Sequence, residues 1–214
     1  MERSVVEGVI EVKHPLVDHH LTILRDTTTP PSLFRQQTHR LAALLAYAAT
    51  EDLPLQDKQI KTPITEMTGS ELSCRIAIVP ILRAGLGLID PLQDLLPDAE
   101  VWHLGMYRDE KTARPVEYYC KLPEGGACDV GFVLDPMLAT GGSVVSAIEA
   151  LERWGCPDIR VLSVIASRPG VERLQEAFPM VRIFVSSIDP ELNEDKFIVP
   201  GLGDAGDRIF NTLG

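Results

Sequence analysis

Residues 131–152, GFVLDPMLATGGSVVSAIEALE, pass through three kinds of local physics in quick succession. Phe132, Val133 and Leu134 form a short uninterrupted apolar run, the pattern of a strand buried on both faces of a parallel sheet. The run stops at Asp135, and Pro136 has no N–H to give to a ladder. Thr140-Gly141-Gly142-Ser143 then brings small residues, free backbone amides and two hydroxyls to the start of a helix, marked by Val144, Val145, Ile148 and Leu151 at helical spacing. The amides at that helix start, with the positive end of its dipole behind them, face the carboxyl end of the strand and make the corner an anion site. The plainer alternative is an ordinary turn with a Ser cap. A Walker A loop needs Lys before its Ser or Thr, and Gly142 stands there.

The flanking sequence repeats the strand-then-helix alternation of a doubly wound α/β domain. Residues 75–82, RIAIVPIL, read as a second buried strand, ending in the loop Arg83-Ala84-Gly85-Leu86-Gly87, with a helix expected over Leu88 to Leu96 and a strand over Val101 to Tyr107. An Arg flanked by glycine at a strand's carboxyl end lies where open parallel sheets bind ligands, and its fork suits a diphosphate. Arg160 to Ala166 and Val181 to Ser187 read as further strands, with a helix over Val171 to Phe178 between them. Toward the N-terminus, residues 1–31 read as an extended segment closing in TTTPP, and Ser32 as the cap of a helix whose face carries Phe34, Leu41, Leu44, Leu45 and Ala48 and which ends near Pro54. Residues 52–75 are polar and hold Pro54, Pro63 and Gly69, so they connect or form edge strands.

Composition narrows the class. A chain of 214 residues, 45% hydrophobic, can bury one full core, and one domain over 1–214 is expected. A net charge of −11 argues against nucleic acid and anionic membranes as partners, since both need clustered Lys and Arg. Any polyanionic substrate must be held locally. Four cysteines without a CxxC pair point to reduced thiols in a cytoplasmic protein, and five scattered histidines give no metal signal. No apolar h-region follows the N-terminus, and the most apolar stretch, Ile76 to Ile89, is broken by Arg83 and two glycines. Gly201, Gly203 and Gly206 satisfy G-x-G-x-x-G, but only eight residues follow, too few for a dinucleotide unit.

An acid at a strand end followed by Thr-Gly-Gly-Ser resembles the phosphoribosyl diphosphate (PRPP) loop of the type I phosphoribosyltransferases. With Pro136 in place of a second acid, DPMLATGGS resembles the uracil phosphoribosyltransferase version, as do ILRAGLGL at 81–88 and the C-terminal FIVPGLGDAGDR at 197–208. The resemblance implies an α/β fold with a mostly parallel twisted sheet, helices on both faces, a protruding arm over 108–122 and a base-binding hood over 188–214. It further implies that Asp135 holds the ribose hydroxyls, that Thr140, Gly141, Gly142 and Ser143 wrap the 5′-phosphate, and that Pro136, Met137, Leu138 and Ala139 also bind PRPP. By the same likeness Arg83 and Arg108 contact PRPP, Ile198, Gly203, Asp204 and Ala205 line uracil, and Asp204 also lies by PRPP. Phe197 stands where many members carry Tyr, so no hydroxyl contact is expected there. The implied reaction joins uracil and PRPP into UMP and diphosphate, with Mg2+ held mainly by PRPP, Asp135, Arg108 and Asp204 as catalytic groups, and Asp204 as the candidate base. Cytoplasmic location, a homo-oligomer of two or more subunits and a GTP effector come with it. The rival readings are a transferase for another base and a non-catalytic domain that senses PRPP or nucleotide.

Overall fold

A computed structural model describes residues 4–6, 8–108, 115–120, 122–123 and 126–212, and describes side chains outside 4–6, 106–108 and 115–120. The chain opens on β1 (Ser4–Val6) and β2 (Val9–Glu11), followed by α1 (Pro15–Arg25) and α2 (Pro31–Ala49). The N-terminal segment is therefore not extended throughout. Val17, Leu21 and Leu24 recur at helical spacing and are buried, and the helix starts at Pro15 with His14 Nδ1 accepting from the Leu16 amide at 3.1 Å. A His cap is absent from the usual Ser/Thr/Asp/Asn signal, which is why the sequence hid it. Ser32 is likewise no cap: α2 begins on Pro30-Pro31 without a side-chain capping bond, and it ends at Thr50, ahead of Pro54.

β3 (Leu55–Lys61) and β4 (Glu66–Leu72) form a hairpin of their own, off the main sheet, with every residue of β3 exposed. β5 (Ile76–Leu82) follows, and the loop after it is mostly a 3-10 turn over Ala84–Leu88 running straight into α3 (Ile89–Leu95). The expected strand over 101–107 is split into β6 (Glu100–Val101) and β7 (Leu104–Arg108). β7 pairs antiparallel with β8 (Pro115–Cys120), so the described part of the 108–122 arm is a β-hairpin, and residues 109–114 and 121 lie outside the described residues. Then come β9 (Val130–Leu134), β10 (Met137–Leu138), α4 (Gly142–Trp154), β11 (Asp158–Ser167), α5 (Arg168–Ala177), β12 (Arg182–Asp189), β13 (Glu191–Leu192), β14 (Ile198–Val199) and α6 (Ala205–Phe210).

Among the described residues the main sheet runs β1-β2-β12-β11-β9-β5-β7-β8 and is parallel from β2 to β7, with β10 on β11 and β6 on β5. Strand periodicity splits the core in two. Val130, Phe132 and Leu134 face the layer of α1, α2, α3 and α6, while Val133 joins Val79, Val161 and Val185 under α4 and α5. Each of these large side chains, almost fully buried, contributes about 1.5–3 kcal/mol relative to exposure. Helices on both faces of a parallel sheet explain why β9 and β5 read as unbroken apolar runs rather than alternating ones. Among the described residues, no helix is long and apolar enough to cross a membrane.

Topology also says where a ligand belongs. From β5 the chain moves to β7 on one side, whereas from β9 it moves to β11 on the other. The loops after these two adjacent strands part company and open a crevice at their carboxyl ends, the usual ligand position in an open α/β sheet.

Candidate active site

Arg83 leaves the end of β5 and Asp135 the end of β9, on the two sides of that crevice. The Leu82-Arg83 peptide is cis. A Cβ on Gly85 would sit 2.4 Å from the Leu134 carbonyl oxygen, so only glycine lets the 3-10 turn press against the end of β9. Asp135 is partly buried, and Oδ1 accepts from the Met137 amide at 3.2 Å. Burial raises its carboxyl from an ordinary 3.8 to about 7, the Met137 hydrogen bond pulls the other way, and the charge of nearby Asp204 adds to the rise. The two acids read from separate motifs thus sense one another across the site.

The Thr-Gly-Gly-Ser turn opens α4, and the plainer alternative of a Ser-capped turn does not hold. Gly141 is the N-cap of α4, in the left-handed region at φ 76°, and no side chain caps the helix, so Ser143 is not the cap. The first amides of α4 therefore face the crevice with the helix dipole behind them. Behind the turn stands a wall that the sequence reading missed. β10 pairs with Ile165 and Ala166 of β11, and the Ser167 hydroxyl donates to the Ala139 carbonyl at 2.6 Å while accepting from the Gly170 amide. Arg173 donates to the Thr140 carbonyl at 3.1 Å, and a Cβ on Gly170 would lie 2.2 Å from the Ala139 oxygen. Ser167-Arg168-Pro169 is an N-cap followed by Pro inside the first turn, so the sequence did carry a start signal for α5, though none for its contact with the loop.

The C-terminal segment closes the crevice from the other face. Ile198 and Ala205 are buried in the α1/α2 core layer, Gly203 has φ 78°, and Asp204 caps α6 by accepting from the Asp207 amide at 2.9 Å. The Cβ position of Gly206 lies 3.7 Å from the Ala84 Cβ, and Arg83, 60% exposed, donates to Asp207 at 3.2 Å. Hydrogen bonding from Thr212, then from Arg83, holds the Asp207 carboxyl below its ordinary range. Asp207 lies inside the 197–208 motif, but the sequence reading assigns it no role; the structure makes it the partner of Arg83. Arg83, the 135–143 turn and the 198–205 segment are thereby brought together. The side chain of Arg108, at the end of β7, lies outside the described residues. Among those described, no three His, Cys, Asp or Glu side chains cluster as metal ligands.

A mostly parallel sheet with an acid at one strand end, a Thr-Gly-Gly-Ser turn beside the switch point and a C-terminal segment packed against the neighbouring loop is the arrangement expected of the phosphoribosyltransferase class. Comparison with known proteins narrows this: a family model described as uracil phosphoribosyltransferase matches residues 11–212. Among curated relatives, the uracil phosphoribosyltransferase of Roseiflexus castenholzii is 53% identical over 94% of this chain and 96% of its own length. That of Pediococcus pentosaceus is 49% identical over 96% and 99%. A solved Aquifex aeolicus protein superposes with a TM-score of 0.90 at 35% identity, covering 94% of this chain and 97% of that one. The chain belongs to the uracil phosphoribosyltransferase family.

Proposed function

We propose that this chain transfers the phosphoribosyl group of PRPP to uracil, forming UMP and diphosphate in pyrimidine salvage, and that residues 1–214 act as one domain. The observation that carries the proposal is the meeting of three separate stretches at the β5/β9 crevice, with Asp135 close enough to feel the charge of Asp204.

In this reading the α4 amides from Gly141 to Ser143 and the Thr140 backbone receive the 5′-phosphate, with Pro136 to Ala139 forming the floor of the same turn. Asp135 binds the ribose hydroxyls. As the bond from ribose C1 to diphosphate breaks, positive charge grows on the ring, and a carboxylate already in position stabilises it without reorganising solvent. That same charge favours the ionised form of an acid whose pKa, chiefly through burial, is raised to about 7. Arg83 and Arg108 receive the departing diphosphate, for which a planar fork suits paired phosphate oxygens. The uracil nitrogen then forms the new bond to C1, its ring held by Ile198, Gly203, Asp204 and Ala205. Asp204 remains the candidate to take the proton, although its Oδ1 already caps α6. Carboxylates and phosphate oxygens are the hard ligands Mg2+ takes, and with Asp135 and Asp204 beside the crevice the ion would be held mainly by PRPP's own oxygens. Bound there, Mg2+ would neutralise charge on the leaving diphosphate.

A homo-oligomer belongs to the same proposal, supported by the β3/β4 hairpin, which leaves Leu55, Ile60, Ile64, Met67 and Leu72 exposed. Cytoplasmic location is supported by free thiols at Cys74, Cys128 and Cys156. GTP as an effector is carried by the family likeness, with no residue assigned. The test is to incubate the protein with uracil, PRPP and Mg2+ and to measure UMP and diphosphate. Equal amounts of both, formed only before EDTA is added, are expected; diphosphate without UMP, or no turnover, would overturn the proposal.

A further inference from the structure

The hood must hold its backbone still if backbone groups are to read a base, and the structure contains a device for that outside the motifs. Arg25, the last residue of α1, meets Asp189, the last residue of β12, in a two-point pair: Nη1 to Oδ2 at 2.7 Å and Nη2 to Oδ1 at 2.6 Å. The Asp189 side chain is only 4% exposed. Both groups also grip the main chain of Gly201. Its amide donates to Asp189 Oδ2 at 2.9 Å, and its carbonyl accepts from Arg25 Nη1 at 2.7 Å. The Ser187 hydroxyl completes the arrangement, accepting from Arg25 Nη2 and donating to Asp189 Oδ1, each at 3.2 Å.

Gly201 lies between Ile198 and Gly203. It has φ 62°, and a Cβ there would come within 2.1 Å of the Ile198 carbonyl oxygen, so the turn is folded tightly onto Ile198. The next residue is held as well: Arg208 donates to the Leu202 carbonyl at 2.7 Å and, from the same guanidinium, to the carbonyls of Leu24 and Asp26 at 2.6 Å, while stacking on Phe34 at 4.3 Å. Residues 24–26 of the α1 end thus fix residues 201–202 from both sides. A buried ion pair is a poor source of stability, because desolvation offsets most of its attraction, but it is a good source of fixed geometry.

We infer that Arg25 and Asp189 are positioning residues for the base: they hold the 198–205 turn in the one pose that recognises it, and so set base affinity and discrimination. The inference rests on the reading that 198–205 lines uracil. Hydrogen bonds to a base edge weaken steeply with misalignment, so a loosened turn loses the base while the 5′-phosphate turn across the crevice is untouched.

Kinetics on the full chain test it. Asp189→Asn keeps the shape but puts an amide donor against donors. It should raise KM for uracil about 10- to 100-fold and lower the uracil-to-cytosine ratio of kcat/KM, the scale of a displacement near 1 Å. PRPP binding, measured by calorimetry with Mg2+, should stay within about twofold, and Arg25→Gln combined with Asp189→Asn should be no worse than the worse single variant. If Asp189→Asn does not fold, Arg25→Lys keeps the charge, loses the fork and must give the same split. An unchanged uracil KM and base ratio, or a parallel loss of PRPP and uracil binding, would overturn the inference. Ala205→Leu, run alongside, separates the two levels. If it blocks uracil while Asp189→Asn and Arg25→Lys behave normally, only the positioning role fails; if it leaves uracil use intact, the base site itself lies elsewhere.

Discussion

Replacing Asp135 by Asn should make the protein a worse enzyme and a more stable one, and the size of the second effect depends on pH. The folded-state pKa is raised, from 3.8 to about 7. The fold therefore prefers the protonated carboxyl, and ionisation costs stability. That cost is absent below about pH 4, grows as the unfolded chain ionises, and levels off once the folded acid has also ionised, above about pH 7. At about 1.4 kcal/mol per pH unit the ceiling is about 4 kcal/mol, and the partial solvent access of Asp135 reduces the expected value to about 2 kcal/mol. Asn carries no charge at any pH and can still accept from the Met137 amide. Urea unfolding of both proteins without ligand, at one protein concentration, should give equal stability near pH 4 and an advantage of about 2 kcal/mol for Asn at pH 8. In the same variant turnover should fall by about 10²-fold or more, the usual loss when a charge aimed at the transition state is removed. An identical stability difference at both pH values would refute the desolvated carboxylate, and turnover within a few-fold of wild type would remove Asp135 from the chemistry.

Three further outcomes follow from the same geometry. The kcat/KM for PRPP should rise with pH through about 7 and then flatten, because Asp135 must be ionised to hold the ribose, and this limb should vanish in Asp135→Asn. Arg83→Lys and Arg108→Lys should each weaken PRPP use with little change in Tm, since the Arg83 pair with Asp207 is exposed; normal PRPP kinetics would return that Arg to the solvated surface. Gly85→Ala should cost about 1–3 kcal/mol in urea unfolding and impair PRPP binding by calorimetry, because its Cβ would meet the Leu134 carbonyl at 2.4 Å; a variant that matches wild type in both would show that the crevice walls do not need to touch.

The sequence made the parallel sheet legible because buried strands such as β5 and β9 are unbroken apolar runs that end in an Arg or an Asp, and the Thr-Gly-Gly-Ser turn declares its own corner. Two things escaped. Helix α1 was hidden by its His cap and by the TTTPP stop that follows, although Val17, Leu21 and Leu24 held the right spacing. The supports of the site were hidden for a different reason: Arg25 meets Asp189 across 164 positions, and Ser167 meets Ala139 across 28. Motifs record what touches a ligand through local spacing. Residues that hold those residues in place are linked only by tertiary packing, and leave no local pattern to read.

The central claim is that one crevice takes PRPP on the 135–143 turn and reads uracil with the 198–205 backbone. It is tested most directly by the ratio of kcat/KM for uracil to that for cytosine, measured with saturating PRPP and Mg2+. Cytosine reverses the donor and acceptor pattern on two of the edges a fixed backbone would meet, leaving buried groups unpaired at about 1–3 kcal/mol each. The account predicts a ratio on the order of 10⁴, in the range of sites that select by paired polar contacts. Comparable values for the two bases, or faster turnover with a purine, would contradict it.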